Sequence, residues 1–143
     1  MPTAPAGNIS DMDICAMVTK EEVQSITGLT LGEGERLDLQ TDTAGCQWDG
    51  ADGHAIQFVT IGVYAFSEGA WRPPDEDGPT TDIVTGVGDA AYRREVGLSG
   101  TAGDIVVRSG GLIINITLFN DTVDYETLHP QQEQLATLLI SRL

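Results

Sequence analysis

A hairpin pattern in the last third of this 143-residue chain constrains its fold most strongly. From Leu112 to Leu118 every second residue is aliphatic, which is typical of a β-strand with one face against a core. A second strand-like run, residues 104–108, precedes it. The link Ser109-Gly110-Gly111 suits a tight turn, because glycine readily adopts positive φ. The sequence therefore predicts an antiparallel pair whose aliphatic face lies on the core.

Other strand patterns extend this pair into a sheet. Strands are predicted at residues 35–40, 46–48, 55–66 and 90–96. In residues 55–66 β-branched residues alternate with Phe58 and Tyr64, so we expect both faces to be partly covered. Residues 90–96 include Arg93, Arg94 and Glu95, and these charges favour a position near the edge of the sheet.

Residues 67–89 form the least regular stretch. Trp71, Pro73-Pro74 and the acidic run Asp75-Glu76-Asp77 predict a long exposed loop, shortened by a helical turn over residues 67–71. Loops of this length often carry function.

Helices are predicted at both ends of the sheet region. Thr19 and Glu22 have the spacing of a capping box, and Gly28 is placed to end the helix over residues 20–27. Pro130 suits the first position of a second helix over residues 130–142, whose leucines lie on one stripe. Helix, antiparallel strands and helix make an α+β domain over residues 13–143. Residues 1–12 are interpreted as a disordered linker remnant.

The charge is strongly acidic, with 22 Asp and Glu against 7 Lys and Arg and a net charge of −15. Such a balance argues against nucleic-acid binding and against docking on anionic lipid, both of which need basic residues. No apolar run approaches the roughly 20 residues that span a bilayer. The acidic residues lie in turn-like segments, so solvation of loops is the simplest interpretation.

Two cysteines, Cys15 and Cys46, leave two interpretations open. A disulfide would place the protein outside the cytosol, whereas two buried thiols would not. The first ten residues lack the basic and apolar regions of a signal peptide. Either the protein is cytosolic, or Met1 follows an export segment that has been removed. The Pro- and Ala-rich character of this tail favours the second.

No catalytic or metal-binding constellation stands out, and no cofactor is predicted. His54 and His129 are interpreted as turn and cap residues. The acidic clusters at residues 49–53 and 75–78 are too short for an EF-hand loop, and Gly86-Val87-Gly88 lacks the third glycine of a dinucleotide fingerprint. Trp48 is predicted to pack in the core. Trp71 is the better binding candidate, together with the neighbouring Asp75 and Asp77.

Three segments together resemble a family of actinobacterial envelope lipoproteins, domain-of-unknown-function family 3558. These segments are residues 13–23 followed by Gly28, then Cys46-Gln47-Trp48, and then residues 86–92, Gly-Val-Gly-Asp-Ala-Ala-Tyr. The resemblance implies export, a Cys15–Cys46 disulfide and a lipid anchor on a cysteine upstream of this chain. It also implies a PsbP-like sandwich, in which an antiparallel sheet is flanked by an N-terminal and a C-terminal helix.

These observations lead to one main hypothesis and two alternatives. The main hypothesis is an exported, lipid-anchored and monomeric cell-envelope domain that is not an enzyme and binds an envelope protein or a small ligand. An extracellular sensor module for a small apolar or glycan ligand is the first alternative. The second is a hydrolase that uses a pair of carboxylates.

Overall fold

A computed structural model describes residues 9, 12–37, 43–51, 57–69, 71, 81–84, 86–95, 102–120 and 125–143. The helices are α1 (Ile14–Met17), α2 (Lys20–Thr27) and α3 (Tyr125–Ile140). The strands are β1 (Glu35–Arg36), β2 (Thr43–Asp49), β3 (Gln57–Ala65), β4 (Thr81–Val84), β5 (Ala90–Glu95), β6 (Ala102–Ser109) and β7 (Leu112–Asn120).

The chain has an α+β fold with one seven-stranded antiparallel sheet, in the order β1-β2-β3-β7-β6-β5-β4. The predicted hairpin is confirmed. Strands β6 and β7 pair from Ser109–Leu112 outwards, and Gly110 in the turn has φ 60°. On its other side β7 pairs with β3, and the two strands are paired along their whole length. The pattern from Leu112 to Leu118 therefore belongs to the middle of the sheet.

The two faces of the sheet are covered differently. On one face Ile114, Ile116 and Leu118 are fully buried in the main core, together with Leu135 and Leu139 of α3. Helix α3 contacts β6 and β7, and α1 contacts β2. The opposite face carries a smaller apolar cluster of Tyr92, Val106 and Ile113, packed against Tyr64, Phe66 and Trp71. Both faces are thus partly covered, as the sequence predicts.

Helix α2 has the predicted bounds and caps. The Thr19 N–H donates to Glu22 Oε1 at 3.0 Å, and the Glu22 N–H donates to Thr19 Oγ1 at 3.2 Å, which completes the capping box. Gly28 is the C-terminal cap. Upstream, the predicted linker lies mostly outside the described residues. Within it, Ile9 is buried in the main core and Met12 donates its N–H to the Ile9 carbonyl.

The predicted start of the C-terminal helix is wrong. Helix α3 begins at Tyr125, and Pro130 lies inside it as its sixth residue. A proline there removes one backbone hydrogen bond. The helix extends upstream nevertheless, because Leu128 is fully buried on the same side as Leu135 and Leu139. Burial of that stripe outweighs the local preference of proline for a helix start.

The predicted position of β5 near the edge of the sheet is confirmed, since among the described strands only β4 lies beyond it. Strand β4 pairs with β5, with Ile83 opposite Tyr92, and takes the end of the sheet. Arg93, one of the charges that indicated an edge, is buried on the helix side and forms an ion pair with Glu133 of α3. A partner on a helix satisfies the charge that the sequence pattern assigned to solvent.

Candidate functional site

Trp71 is held by a turn and by a ring contact. Its backbone N–H donates to the Ser67 carbonyl at 2.9 Å, which closes the helical turn predicted over residues 67–71. Its indole meets the Tyr92 ring edge to face, with centroids 5.2 Å apart and planes at 70°. This geometry is favourable for aromatic pairs. Trp71 is therefore an ordered, half-buried side chain rather than an isolated one on a loop.

The floor beneath Trp71 is the apolar cluster on the sheet face opposite α3. Tyr92 is nearly buried, and Val106 and Ile113 are fully buried behind it. At the margin, the Arg108 guanidinium lies 3.9 Å from the centre of the Phe66 ring, a cation–π contact. This floor is aromatic on one side and carries a cation at its edge.

A cavity of about 350 Å³ lies beside Trp71 at the β4 end of the sheet. Its lining includes Trp71, Tyr92, Ile83 and the segment from Gly86 to Ala91. The Ile83 side chain is 65% exposed, unusual for a large aliphatic residue. The volume falls within the range of ligand pockets, about 300–1,000 Å³. We call this the Trp71 cavity.

The Gly86–Asp89 loop forms one wall of the Trp71 cavity and is tied to the β6–β7 turn. The Asp89 N–H donates to the Arg108 carbonyl at 2.8 Å, and Asp89 Oδ2 accepts from the Gly110 N–H at 2.9 Å. Gly88, at φ 59°, lies so close to β6 that a Cβ there would be 2.6 Å from Val107 Cγ1. The wall is therefore fixed in place, and the segment is a tight turn that enters a strand, as predicted.

A second concavity lies on the helix side of the same loop. It is an open groove of about 680 Å³ between α2, α3 and Val87, with Ile26 and Leu138 among its apolar lining. Glu133 lines it and is engaged by Arg93. The groove is wide and shallow compared with the Trp71 cavity. It also lacks an aromatic side chain among its described lining residues.

The described residues offer little for hydrolysis or metal binding. Within the described ranges, no three His, Cys, Asp or Glu side chains gather to hold a metal ion. Asp89 is the one carboxylate among the described residues that line the Trp71 cavity, and its Oδ2 already accepts from Gly110. Asp75, Asp77 and His54 lie outside the described residues, so their roles stay predictions. His129 lies on α3.

The two cysteines form a disulfide, which rules out the alternative of two thiols. The Cys15–Cys46 bond has an S–S length of 2.04 Å and joins α1 to β2, with Cα atoms 5.2 Å apart. Cys46 and Trp48 of β2 are both buried, and the predicted core position of Trp48 is confirmed. A Cβ at Gly34 would be 2.6 Å from Cys46 Sγ and 2.7 Å from Trp48 Nε1. The chain before β1 therefore closes tightly over this part of the core.

Comparisons with known proteins add no family. The chain matches no protein-family model and no curated protein. Its likeness to the envelope lipoproteins therefore stays a prediction. No helix in the described parts of the chain is long and apolar enough to cross a membrane.

Sequence reasoning found Trp71 but missed its neighbours. Tyr92 and Ile83 come together through the β4–β5 register, and Arg108 reaches Phe66 across the hairpin end. No pattern along the chain marks these pairs, because they depend on which strands become neighbours. One signal was available, since the Ile83-Val84 pair is apolar and stands out in an otherwise polar stretch.

Proposed function

We propose that this chain is the binding domain of an exported, lipid-anchored cell-envelope protein that is not an enzyme, and that the Trp71 cavity receives its ligand or protein partner. The observation that carries the proposal is the cavity itself, lined by Trp71, Tyr92 and the exposed Ile83. A concave, mostly apolar site with a fixed wall is the ordinary form of a binding pocket.

Export is supported by the Cys15–Cys46 bond, because disulfides persist in oxidising compartments. The lipid anchor and the PsbP-like layering rest on the resemblance to the envelope lipoproteins. The contacts of α1 with β2, and of α3 with β6 and β7, are compatible with that layering.

Thiol blocking followed by mass spectrometry of protein from its native compartment tests export. We expect both cysteines to be inaccessible until reduction, and free thiols in folded protein would contradict export.

Binding at the cavity is tested by tryptophan fluorescence. We expect a ligand from a panel of peptides, lipids and cell-wall fragments to change the emission of the wild-type protein. The change should be lost in Trp71→Phe, which leaves the core residue Trp48 in place. Leu143→Ser is the matched control, because Leu143 is also a large exposed apolar residue but does not line the cavity. A response that survives Trp71→Phe would contradict this site.

The sensor alternative uses the same cavity but requires that binding change the conformation of the domain. The loop that forms the cavity wall is tied to the β6–β7 turn by two hydrogen bonds of Asp89. Such a wall favours binding with little rearrangement, which fits a carrier or docking domain better than a switch. Amide exchange of residues 86–95 with and without ligand separates the two, because a sensor predicts changes that spread beyond the cavity.

A further inference from the structure

We propose that β4 is a docking edge, where an extended basic segment of a protein partner adds to the sheet as a further strand and places apolar side chains in the Trp71 cavity. This inference rests on the proposed binding role of that cavity and names the chemistry of the partner. In strand addition, main-chain hydrogen bonds supply affinity and pockets for alternate side chains supply specificity.

The two edge strands differ in length and in exposed apolar surface. Among the strands that the structure describes, β1 and β4 end the sheet. Strand β1 has only two residues, and both Glu35 and Arg36 are charged and exposed. Short length and charge are the usual protections of a sheet edge against pairing. Strand β4 is twice as long and exposes Ile83, an apolar side chain that such protection would exclude.

The Trp71 cavity lies at the same edge of the sheet as β4. Ile83 lies opposite Tyr92, so the two side chains share the sheet face that also carries Trp71. Every second side chain of an added strand would point to the same face. Those side chains would lie next to Ile83 and the opening of the Trp71 cavity. One strand could therefore use the backbone of β4 and the cavity together.

The charge of the chain around β4 selects the kind of partner. Residues 67–95, which contain Trp71, β4, the loop of the cavity wall and the neighbouring strand β5, have seven acidic and three basic residues in sequence, and one of the three, Arg93, is paired with Glu133. The whole chain has a net charge of −15. Repulsion disfavours a second copy of this chain, an acidic peptide or an anionic lipid at this edge, and attraction favours a segment rich in lysine or arginine. The partner is therefore an extended segment that alternates basic and apolar residues.

The experiment uses the ¹⁵N-labelled full chain and three synthetic peptides with blocked ends. The first alternates lysine and valine. The second has the same sequence with alternate backbone amides N-methylated, which removes the donors of a strand without changing the side chains. The third carries glutamate in place of lysine. Peptide affinity is read from Trp71 fluorescence, and the site is read from the amide resonances of β4 and, for comparison, of β1.

We expect the lysine–valine peptide to bind, to shift the amide resonances of Ile83 and Val84, and to leave those of Glu35 and Arg36 unchanged. N-methylation should weaken binding about tenfold or more, because the hydrogen bonds that those amides would donate to β4 are lost. The glutamate peptide should not bind, and added salt should weaken the lysine peptide. Ile83→Ser should weaken binding, and Leu143→Ser should not.

Four outcomes would overturn the inference. The first is equal binding of the N-methylated peptide, and the second is a shift of the amide resonances of β1 in place of those of β4. The third is a shift of the β4 resonances that depends on protein concentration without peptide, which would indicate self-association. The fourth is the absence of any peptide binding. If no peptide binds while another ligand still quenches Trp71, this inference fails and the proposed binding site stands. If no ligand of any class affects Trp71, the proposed function fails as well.

Discussion

At the β1–β2 end of the sheet α1, a disulfide and a buried tryptophan lie against the strands, whereas the β4–β5 end carries an exposed isoleucine beside a cavity. The first end is cross-linked covalently through Cys15 and Cys46. The second is held by two hydrogen bonds of Asp89, from its N–H to the Arg108 carbonyl and from the Gly110 N–H to its carboxylate. We call the β1–β2 end, with the disulfide, the closed end, and the β4–β5 end, with the Trp71 cavity, the open end.

The comparison indicates that one end of the sheet stabilises the fold and the other end serves binding. A binding surface must leave apolar area exposed, which gives up burial that would otherwise stabilise the fold. A cross-link at the opposite end compensates without covering the cavity, because it acts largely by restricting the unfolded chain. If the two ends are independent in this sense, a change at one end should leave the other unaffected.

The largest effect is expected at the closed end. Replacing both Cys15 and Cys46 by alanine opens a loop with a sequence separation of 31. The chain-entropy relation gives a loss of about 3.5–4 kcal/mol in the free energy of unfolding. Urea unfolding of the variant and of the wild type measures it, and reduction of the wild type should reproduce the loss while leaving the variant unchanged. A loss below about 1 kcal/mol would contradict the role given to this bond.

The next effect tests whether the open end is as ordered as its contacts indicate. In Gly88→Ala the new Cβ meets Val107 Cγ1 at 2.6 Å and the Arg108 carbonyl at 2.7 Å, at a φ that alanine disfavours. We expect a loss of about 2–4 kcal/mol in the free energy of unfolding. Gly86→Ala is the matched control, because Gly86 also has positive φ but open space around it. It should cost about 1–2 kcal/mol, and equal losses would mean that the wall is loosely held.

A similar pair of variants tests the packing at the closed end. Gly34→Ala places a Cβ 2.6 Å from Cys46 Sγ and 2.7 Å from Trp48 Nε1, and both neighbours are buried. Overpacking of this kind costs about 1–3 kcal/mol. Gly62→Ala, on β3 with no atom within 4 Å of its Cβ, should be neutral or slightly stabilising. Thermal unfolding of the two variants checks this order, and a neutral Gly34→Ala would show that the closed end tolerates rearrangement.

The sequence predicts elements whose pattern lies within one short segment. It does not predict features that depend on which segments become neighbours in the fold. The capping box at Thr19 and Glu22 and the alternation from Leu112 to Leu118 are properties of short segments, and both elements form as predicted. The disulfide came from the resemblance, since spacing alone left two thiols open. Pro130 misled because a buried stripe on α3 outweighs one lost hydrogen bond.

For the same reason the sequence predicts only part of the candidate site. Trp71 stands out as a large aromatic residue in a polar stretch, and it does line a cavity. Strand β4 has four residues, too few to show alternation against the surrounding turn residues. Without β4 the pairing of Ile83 with Tyr92 cannot be predicted. The site therefore depends on a register that only the folded sheet defines.

The smallest effect is a pH dependence of the contact between α2 and the segment that follows α3. Arg142 donates from Nη1 to the Met17 carbonyl at 2.7 Å, and from Nη1 and Nη2 to the two carboxylate oxygens of Glu22 at 2.6 and 2.5 Å. These hydrogen bonds from Arg142, helped by the Thr19 N–H, lower the pKa of Glu22 from 4.5 to about 2. Between these values the unfolded chain binds more protons than the folded protein. The stabilisation is therefore complete above the unfolded pKa and is lost as pH falls towards 2.

Both side chains are about one third exposed, so solvent screens the pair and we expect about 0.2–1 kcal/mol. Urea unfolding of wild type and Glu22→Gln at pH 6 should differ by that amount, and the difference should shrink as pH is lowered towards 2. Glu21→Gln is the matched control, because Glu21 lies in the same first turn of α2 and is not among the carboxylates that Arg142 engages. If Glu21→Gln shows the same pH dependence, the effect belongs to the helix end in general. The contact of Arg142 with Glu22 would then not account for the pH dependence of the free energy of unfolding.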